Sequence, residues 1–410
     1  MLQCMPMRRF NTTGICIEGQ HYMVPPEPRL PDAPRLIDQG SFFVVHAPRQ
    51  TGKSTTLRAI TNRLTREGRY AAVHFTCETG EVASGDVGWT ERLVLGAIRM
   101  AVECEGLAPE LLPPEPWPTA EPGQAIVQAL RGWATACPRP LVLVFDEIDA
   151  LHDDGLRTVL RQLRDLHQSR PAPGPHSVIL CGLRDVRDYK VASGGDPTRL
   201  GTCSPFNVKV KSMRVGDFDQ QETRSLFAQY AEETGQSLTD EALARVWETT
   251  QGQPWLVNAL GRELTEEICV PTTEPITADH IEDAKERLIL ARATHLDSLV
   301  ARLHEARVQR VIEPILAGDL PNPDVTYDDD VAYVCDLGLI AASDPPKPAN
   351  PIYREIIVRV LAAGLQRVMI ADTPSFVLPG GQLDFPCLLE EFAAFWKEHG
   401  ETLVSSVTYH

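Results

Sequence analysis

The passage that most constrains this chain runs Phe42-Phe43-Val44-Val45-His46-Ala47-Pro48-Arg49-Gln50-Thr51-Gly52-Lys53-Ser54-Thr55. An apolar, β-branched run stops at a loop ending in Gly-Lys-Ser, and a helical pattern starts at once. Strand, glycine-bearing loop and helix in that order turn backbone N–H groups inward around a phosphate at the helix N-terminus. In such a loop Lys53 reaches the β- and γ-phosphate oxygens of a nucleotide and the Ser54 hydroxyl coordinates Mg²⁺. Ala47, Pro48, Arg49, Gln50, Thr51, Gly52 and Thr55 supply the rest of the cradle. The full pattern asks for glycine where Ala47 stands. A methyl there confines the backbone to right-handed geometry, whereas Gly52, which must approach the phosphate closely, is intact.

From Ser41 to about Val215 short apolar runs alternate with amphipathic helical stretches, which predicts a parallel sheet covered by helices on both faces. The strands fall at Phe42 to Ala47, Tyr70 to Cys77, Leu141 to Asp146, Ser177 to Cys181 and Phe206 to Val210. Helical patterns at Trp89 to Val102 and Gln124 to Ala136 flank a proline-rich surface excursion, Pro109 to Pro122. Beyond Val215 the strands stop. Helices at Gln220 to Glu233, Asp240 to Thr249, Trp255 to Glu267 and Ala278 to Leu299 read as an all-helical lid. Short helices at Val308 to Leu316 and Asp329 to Leu337 follow, with a hairpin pairing Ile340 to Ser343 with Asn350 to Tyr353 and a closing helix Arg354 to Leu365. That order suggests a winged helix. The expected division is an N-terminal arm (1–40), a core (41–215), a lid (216–300), a winged helix (301–366) and an extension (367–410) with a helix Leu388 to His399 and a strand-like Thr402 to Tyr409. Within the arm, Tyr22 to Arg29 is extended by its prolines; it lies either over a nucleotide base or simply against the core.

Three further signals concern chemistry. Leu141-Val142-Leu143-Val144-Phe145-Asp146-Glu147 delivers two carboxylates at the end of an apolar strand; Asp146 suits the Mg²⁺ shell and Glu147 the activation of the attacking water. The pair alone is equally compatible with a helix cap, and its position behind the phosphate loop favours chemistry. Asp149 reads as a helix-starting cap. Val178 to Asp185 ends a strand beside the loop, and Arg184 there is the candidate reader of a γ-phosphate, against a plain surface ion pair with Asp185 or Asp188. Arg199 is either a loop arginine or, in an oligomer, a residue reaching a neighbour's nucleotide in trans. Gly252-Gln253-Pro254-Trp255 opens a lid helix, and Pro254 suits a tight turn facing the nucleotide.

The net charge of −17 over 410 residues excludes a protein that coats DNA or anionic membrane through a global positive field. No apolar stretch reaches membrane-spanning length. The 10 cysteines are scattered singly, which reads as core thiols in a reducing, cytoplasmic compartment.

Thr51-Gly52-Lys53-Ser54, Phe145-Asp146-Glu147, Leu183-Arg184-Asp185 and Gly252-Gln253-Pro254 together resemble the AAA-like P-loop ATPases of the signal-transducing (STAND) and archaeal-ATPase group. That resemblance implies an acidic pair, an arginine sensor and a lid turn, then a winged helix. Longer strings, His21 to Pro26, His46 to Lys53, Cys181 to Lys190 and Asn350 to Glu355, resemble a bacterial set of AAA-like ATP-binding proteins that usually continues into a PD-(D/E)xK nuclease-like domain. No residue here matches that nuclease motif, so nuclease activity does not carry over, and the chain is expected to be a truncated or short form.

The expectation is therefore an α/β P-loop NTPase that binds ATP and Mg²⁺ and couples hydrolysis to movement of lid and winged helix. Regulation of a nuclease-like module or of a DNA transaction, as in defence against mobile elements, is conceivable from the resemblance alone. No guanine-reading Asn-Lys-x-Asp string follows the sheet, which favours ATP. The alternative is a nucleotide-gated DNA-binding or scaffold protein with negligible hydrolysis. The acidic run Asp324, Asp328, Asp329 and Asp330 argues against DNA, and Arg302, Arg307 and Arg310 argue for it. Homo-oligomerisation through Arg199 stays open.

Overall fold

The computed structural model describes residues 8–183, 211–291, 294–318, 328–341, 343–371, 376–378 and 382–405. At its centre five parallel strands, β1 (Phe42–His46), β2 (Ala71–Thr76), β3 (Leu141–Asp146), β4 (Ser177–Gly182) and β5 (Ser212–Arg214), lie in the order β2-β3-β4-β1-β5. Strands β3 and β4 are buried along their whole length, which is why they read as unbroken apolar runs rather than alternating ones. Side chains of alternate parity fill two separate cores. Phe42, Val73, Phe75, Leu143 and Phe145 pack under α3 (Val87–Glu105), α4 (Ala125–Ala136) and α5 (Asp153–Gln168), around the fully buried Trp133. Phe43, Val45, Ala72, Val142 and Val144 pack on the other face against α1 (Ala33–Asp38) and α2 (Lys53–Arg66).

Four of the expected strands are found within a residue or so of their expected ends. The fifth, Phe206 to Val210, lies outside the described residues, and the edge strand seen is Ser212–Arg214. The proline-rich excursion is anchored: Leu111 is buried, its carbonyl accepts the Trp133 indole N–H at 2.9 Å, and Trp117 meets Trp133 edge-on.

The lid comprises α6 (Gln220–Thr234), α7 (Asp240–Thr250), α8 (Pro254–Arg262) with a π-helical turn Glu263–Glu267, and α9 (Ala278–Leu290). Local chemistry sets these starts. Asp219 and Glu222 form a reciprocal capping box at α6, and the side chains of Thr239 and Gln253 accept backbone N–H groups at α7 and α8. The single helix expected from Ala278 to Leu299 is instead α9 and α10 (Thr294–Arg302), with 292–293 outside the described residues. The N-terminal arm packs on the lid: Phe10 and Tyr22 cluster with Phe227 and Tyr230 of α6, and Arg8 pairs with Glu233.

Next come α11 (Ala306–Ala317), α12 (Asp329–Asp336), a minimal antiparallel hairpin of β6 (Ile340–Ala341) and β7 (Lys347–Pro348), and α13 (Pro351–Ala371). The expected second strand, Asn350 to Tyr353, is a helix start. Asn350 accepts the Tyr353 backbone N–H at 2.8 Å, and Pro351 occupies the first helical position, where its missing N–H costs nothing. By its contacts the chain divides into two units, Met1–Arg354 and Glu355–His410. In the second, α14 (Phe385–Ser405) continues through much of the segment expected to be strand-like; 406–410 lie outside the described residues. Phe385, Leu389, Phe392, Phe395 and Trp396 are exposed along it. No described helix is long and apolar enough to cross a membrane.

Candidate functional site

Strand β1 ends in the loop Ala47 to Gly52, and α2 starts at Lys53. Ala47 is fully buried in the core shared with Val45 and Leu57, so the methyl that replaces the expected glycine serves packing. Gly52 caps the helix with φ of 84°, a left-handed conformation that favours glycine, and a Cβ there would sit 2.9 Å from the Arg29 guanidinium. Gln50 also holds positive φ, at 59°. The Lys53 ammonium spans the loop and donates to the carbonyls of Ala47 (2.8 Å) and Pro48 (3.0 Å), and Thr51 Oγ1 donates to Pro48 O (2.9 Å). Thr55 Oγ1 accepts the Cys16 N–H of the arm at 3.1 Å.

The acids stand two strands away, with β4 between. Burial alone would raise the Asp146 carboxyl, but the His74 ring, 2.8 Å from it, with the neighbouring Ser54 hydroxyl and Cys181 thiol, holds it at about 2. The structure thus brings together Ser54 and Asp146, the two residues assigned to Mg²⁺ from sequence. Glu147 behaves oppositely: burial pushes it up, Lys53 and Arg49 pull it down, and Asp149 and Asp146 raise it. Its φ of 50° is uncommon for a residue with a side chain, a strain found most often at functional positions. Asp149 is not the helix cap expected; its carboxylate accepts the Leu183 N–H at 3.2 Å, tying the acid loop to the end of β4, and His152 holds the N-cap of α5. Arg184 and Arg199 lie outside the described residues.

Two cavities flank the loop. A small one, about 110 Å³, is lined by Met23, Val24, Gln50, Thr55, Thr56 and Pro254, among others. Thr56 Oγ1 is buried there without a partner. A larger one, about 480 Å³, lies between the outer loop residues Pro48 and Arg49, helix α10 and the β6 hairpin. Pro48 nests against the turn before β6, where a Cβ on Gly338 would come within 2.8 Å of it. His295 borders this cavity, tilted against Trp255 (ring centroids 4.8 Å apart), with Nε2 2.6 Å from the Tyr353 hydroxyl. Burial, and to a lesser degree the Arg49 charge, lower His295 to about 4, so the hydrogen-bonded ring is neutral.

Sequence reasoning passed over several of these groups. Arg29 donates to Thr51 O (2.8 Å) and to Gly216 O, and stacks 4.9 Å over Phe218, whose N–H bonds Gly252 O of the lid turn (2.8 Å). It joins loop, hinge and lid. His74 had a legible signal: it is the polar interruption in Ala71-Ala72-Val73-His74, on the strand parity that carries Ala72 and faces α2. His295 and Tyr353 lie far apart in the chain and gave none.

Residues 37–189 match a protein family described as an AAA domain. Among solved structures, a Walker-type ATPase of Pyrococcus abyssi superposes with a TM-score of 0.57 at 14% identity, covering 85% of this chain and 99% of its own. The RuvB Holliday junction branch migration motor of Thermotoga maritima (TM-score 0.40, 14% identity) covers 80% of this chain and 92% of its own. Cdc6p of Pyrobaculum aerophilum (0.42, 12%) covers 84% and 97%. These last two are too distant to carry an argument. No curated protein matches. The chain has the P-loop NTPase fold, a parallel five-stranded sheet covered by helices.

Proposed function

We propose that this protein is a Mg²⁺-dependent ATPase whose nucleotide state sets the arrangement of core, lid and the α11 to β7 region. One observation carries the reading: the phosphate loop's Ser54 lies close enough to Asp146 to help lower its carboxyl, while Glu147 feels the Lys53 charge. These are hard oxygen donors, few in number, which suits a Mg²⁺ ion completed by water and phosphate. Among the described residues no cluster of three or more His, Cys, Asp and Glu could hold an ion alone. Bound there, the ion would neutralise charge on the phosphate oxygens.

The protein's own groups divide the remaining work. Lys53 exchanges two loop carbonyls for phosphate oxygens, so the loop holds a donor ready-oriented at no rotamer cost. Glu147, raised toward neutral pH by its surroundings, orients the attacking water and takes its proton. Arg184 is proposed as reader of the γ-phosphate. The small cavity, with Val24, Pro254 and the unpartnered Thr56 hydroxyl, supports placing the nucleoside end between arm, loop and lid. The helices α11 and α12 with the hairpin suit a winged helix, and a cytoplasmic location fits a nucleotide-dependent switch.

The DNA-binding alternative is weakened by pairing within that region. Arg302 bonds Glu305, and Arg307 and Arg310 both bond Asp330, so the basic strip is largely neutralised. Calorimetric titration with ATP and GTP, with and without Mg²⁺, tests the reading: Mg²⁺-strengthened binding of ATP over GTP is expected, and no binding of either would refute it.

A further inference from the structure

The geometry points to His74 as the positioning residue that fixes the Asp146 carboxylate for the metal, an inference that rests on the ATPase reading above. His74 stands on β2, the sheet's edge strand, far from the phosphate loop in sequence. Its side chain is 9% exposed, and Nε2 lies 2.8 Å from Asp146 Oδ2. A carboxylate can only accept, so the contact holds Asp146 when Nε2 carries the ring proton. The other oxygen, Oδ1, accepts the Glu147 backbone N–H at 3.0 Å.

With one oxygen held from the neighbouring strand and the other from its own backbone, the carboxylate cannot rotate about its last torsion. Its remaining lone pairs stay aimed at fixed directions. A ligand that must bind Mg²⁺-bound water in one orientation gains from such a restraint, and a partner behind a metal ligand is typically worth 10- to 100-fold in metal affinity. A largely buried polar ring on a strand whose neighbours Ala72 and Val73 are fully apolar is a placement that core packing alone does not call for.

The test compares His74→Ala, His74→Gln and His74→Asn by the affinity for a non-hydrolysable ATP analogue, measured in EDTA and in saturating MgCl₂. Gln places its amide nitrogen about where Nε2 stands, and Asn falls short. We expect His74→Ala to match wild type in EDTA within about twofold and to lose roughly tenfold or more of the Mg²⁺-dependent gain. His74→Gln should restore the gain, and His74→Asn should not. An unchanged Mg²⁺ gain in His74→Ala, or equal losses with and without Mg²⁺, would overturn the assignment. Should the alanine variant not fold, the Gln and Asn pair decides alone: equal behaviour of the two contradicts a donor at this position. A wild-type protein that binds the analogue without any Mg²⁺ gain refutes the ATPase reading itself, and this inference with it.

Discussion

The two sides of the phosphate loop are built in different ways. Toward the sheet, directional bonds fix the buried Asp146: His74 Nε2 lies 2.8 Å from one carboxylate oxygen and the Glu147 amide donates to the other, with Ser54 and Cys181 close by. Toward the lid, the loop rests largely on packing. Pro48 sits on Gly338, Arg29 stacks on Phe218, and His295 is held between Trp255 and Tyr353 beside a cavity of about 480 Å³. Hydrogen-bonded polar clusters permit one arrangement, because any other leaves a buried group unpaired. Stacked rings around a void permit several. One side thus admits a single arrangement and the other is held mostly by apolar contacts around a cavity; on the reading proposed above, it is this second side that responds to nucleotide.

Breaking the chemical half should cost most. Lys53→Ala removes two charge-assisted bonds to phosphate, an expected loss of about 4 kcal/mol or roughly 1,000-fold in ATP affinity by calorimetry. The packed half should break through geometry. In Gly252→Ala a Cβ would lie 2.0 Å from Phe218 O at a φ of +75°, and a loss of about 3 kcal/mol in denaturant unfolding is expected. Nearby Gly216, whose added Cβ meets nothing within 4 Å, should tolerate alanine within about 1 kcal/mol.

The two halves should also separate by pH. His295 ionises at about 4 when folded and at 6.5 when exposed, so the unfolded chain gains a proton first as pH falls. Stability is full above pH 6.5 and should drop by about 3 kcal/mol as pH falls toward 4, a loss that His295→Gln should largely abolish. Asp146 is depressed from 3.8 to about 2, so its contribution, about 2 kcal/mol, is present above pH 3.8 and lost as pH falls through 2. Melting curves across both windows, in wild type and in His295→Gln, read these steps. A modest effect is expected at the hairpin contact: Gly338→Ala, whose Cβ would press on Pro48, should cost about 1 to 2 kcal/mol and loosen the hairpin from the loop, seen as faster hydrogen exchange at Leu339 and Ile340.

How far the sequence was legible follows the same division. Strand ends, the loop and the acid pair were readable because each is local: an unbroken apolar run marks a strand buried on both faces, and Gly-Lys-Ser marks the turn that follows. Misreadings arose where side-chain capping overrode pattern, as at Asn350, whose carbonyl starts a helix in a stretch rich in strand formers. Asp149 reads as a cap because its helix-starting context is local, whereas its partner, Leu183, follows β4, far away in the chain. Arg29, His74 and His295 act through contacts 22 to 187 residues away in the chain, and no spacing rule encodes those.

On the proposed function, Glu147 is the catalytic base in a pre-set site. Steady-state ATP hydrolysis and ATP affinity measured together on Glu147→Gln test that role. Affinity within about threefold of wild type and turnover reduced roughly 100- to 10,000-fold are expected. Undiminished hydrolysis by that variant would contradict it.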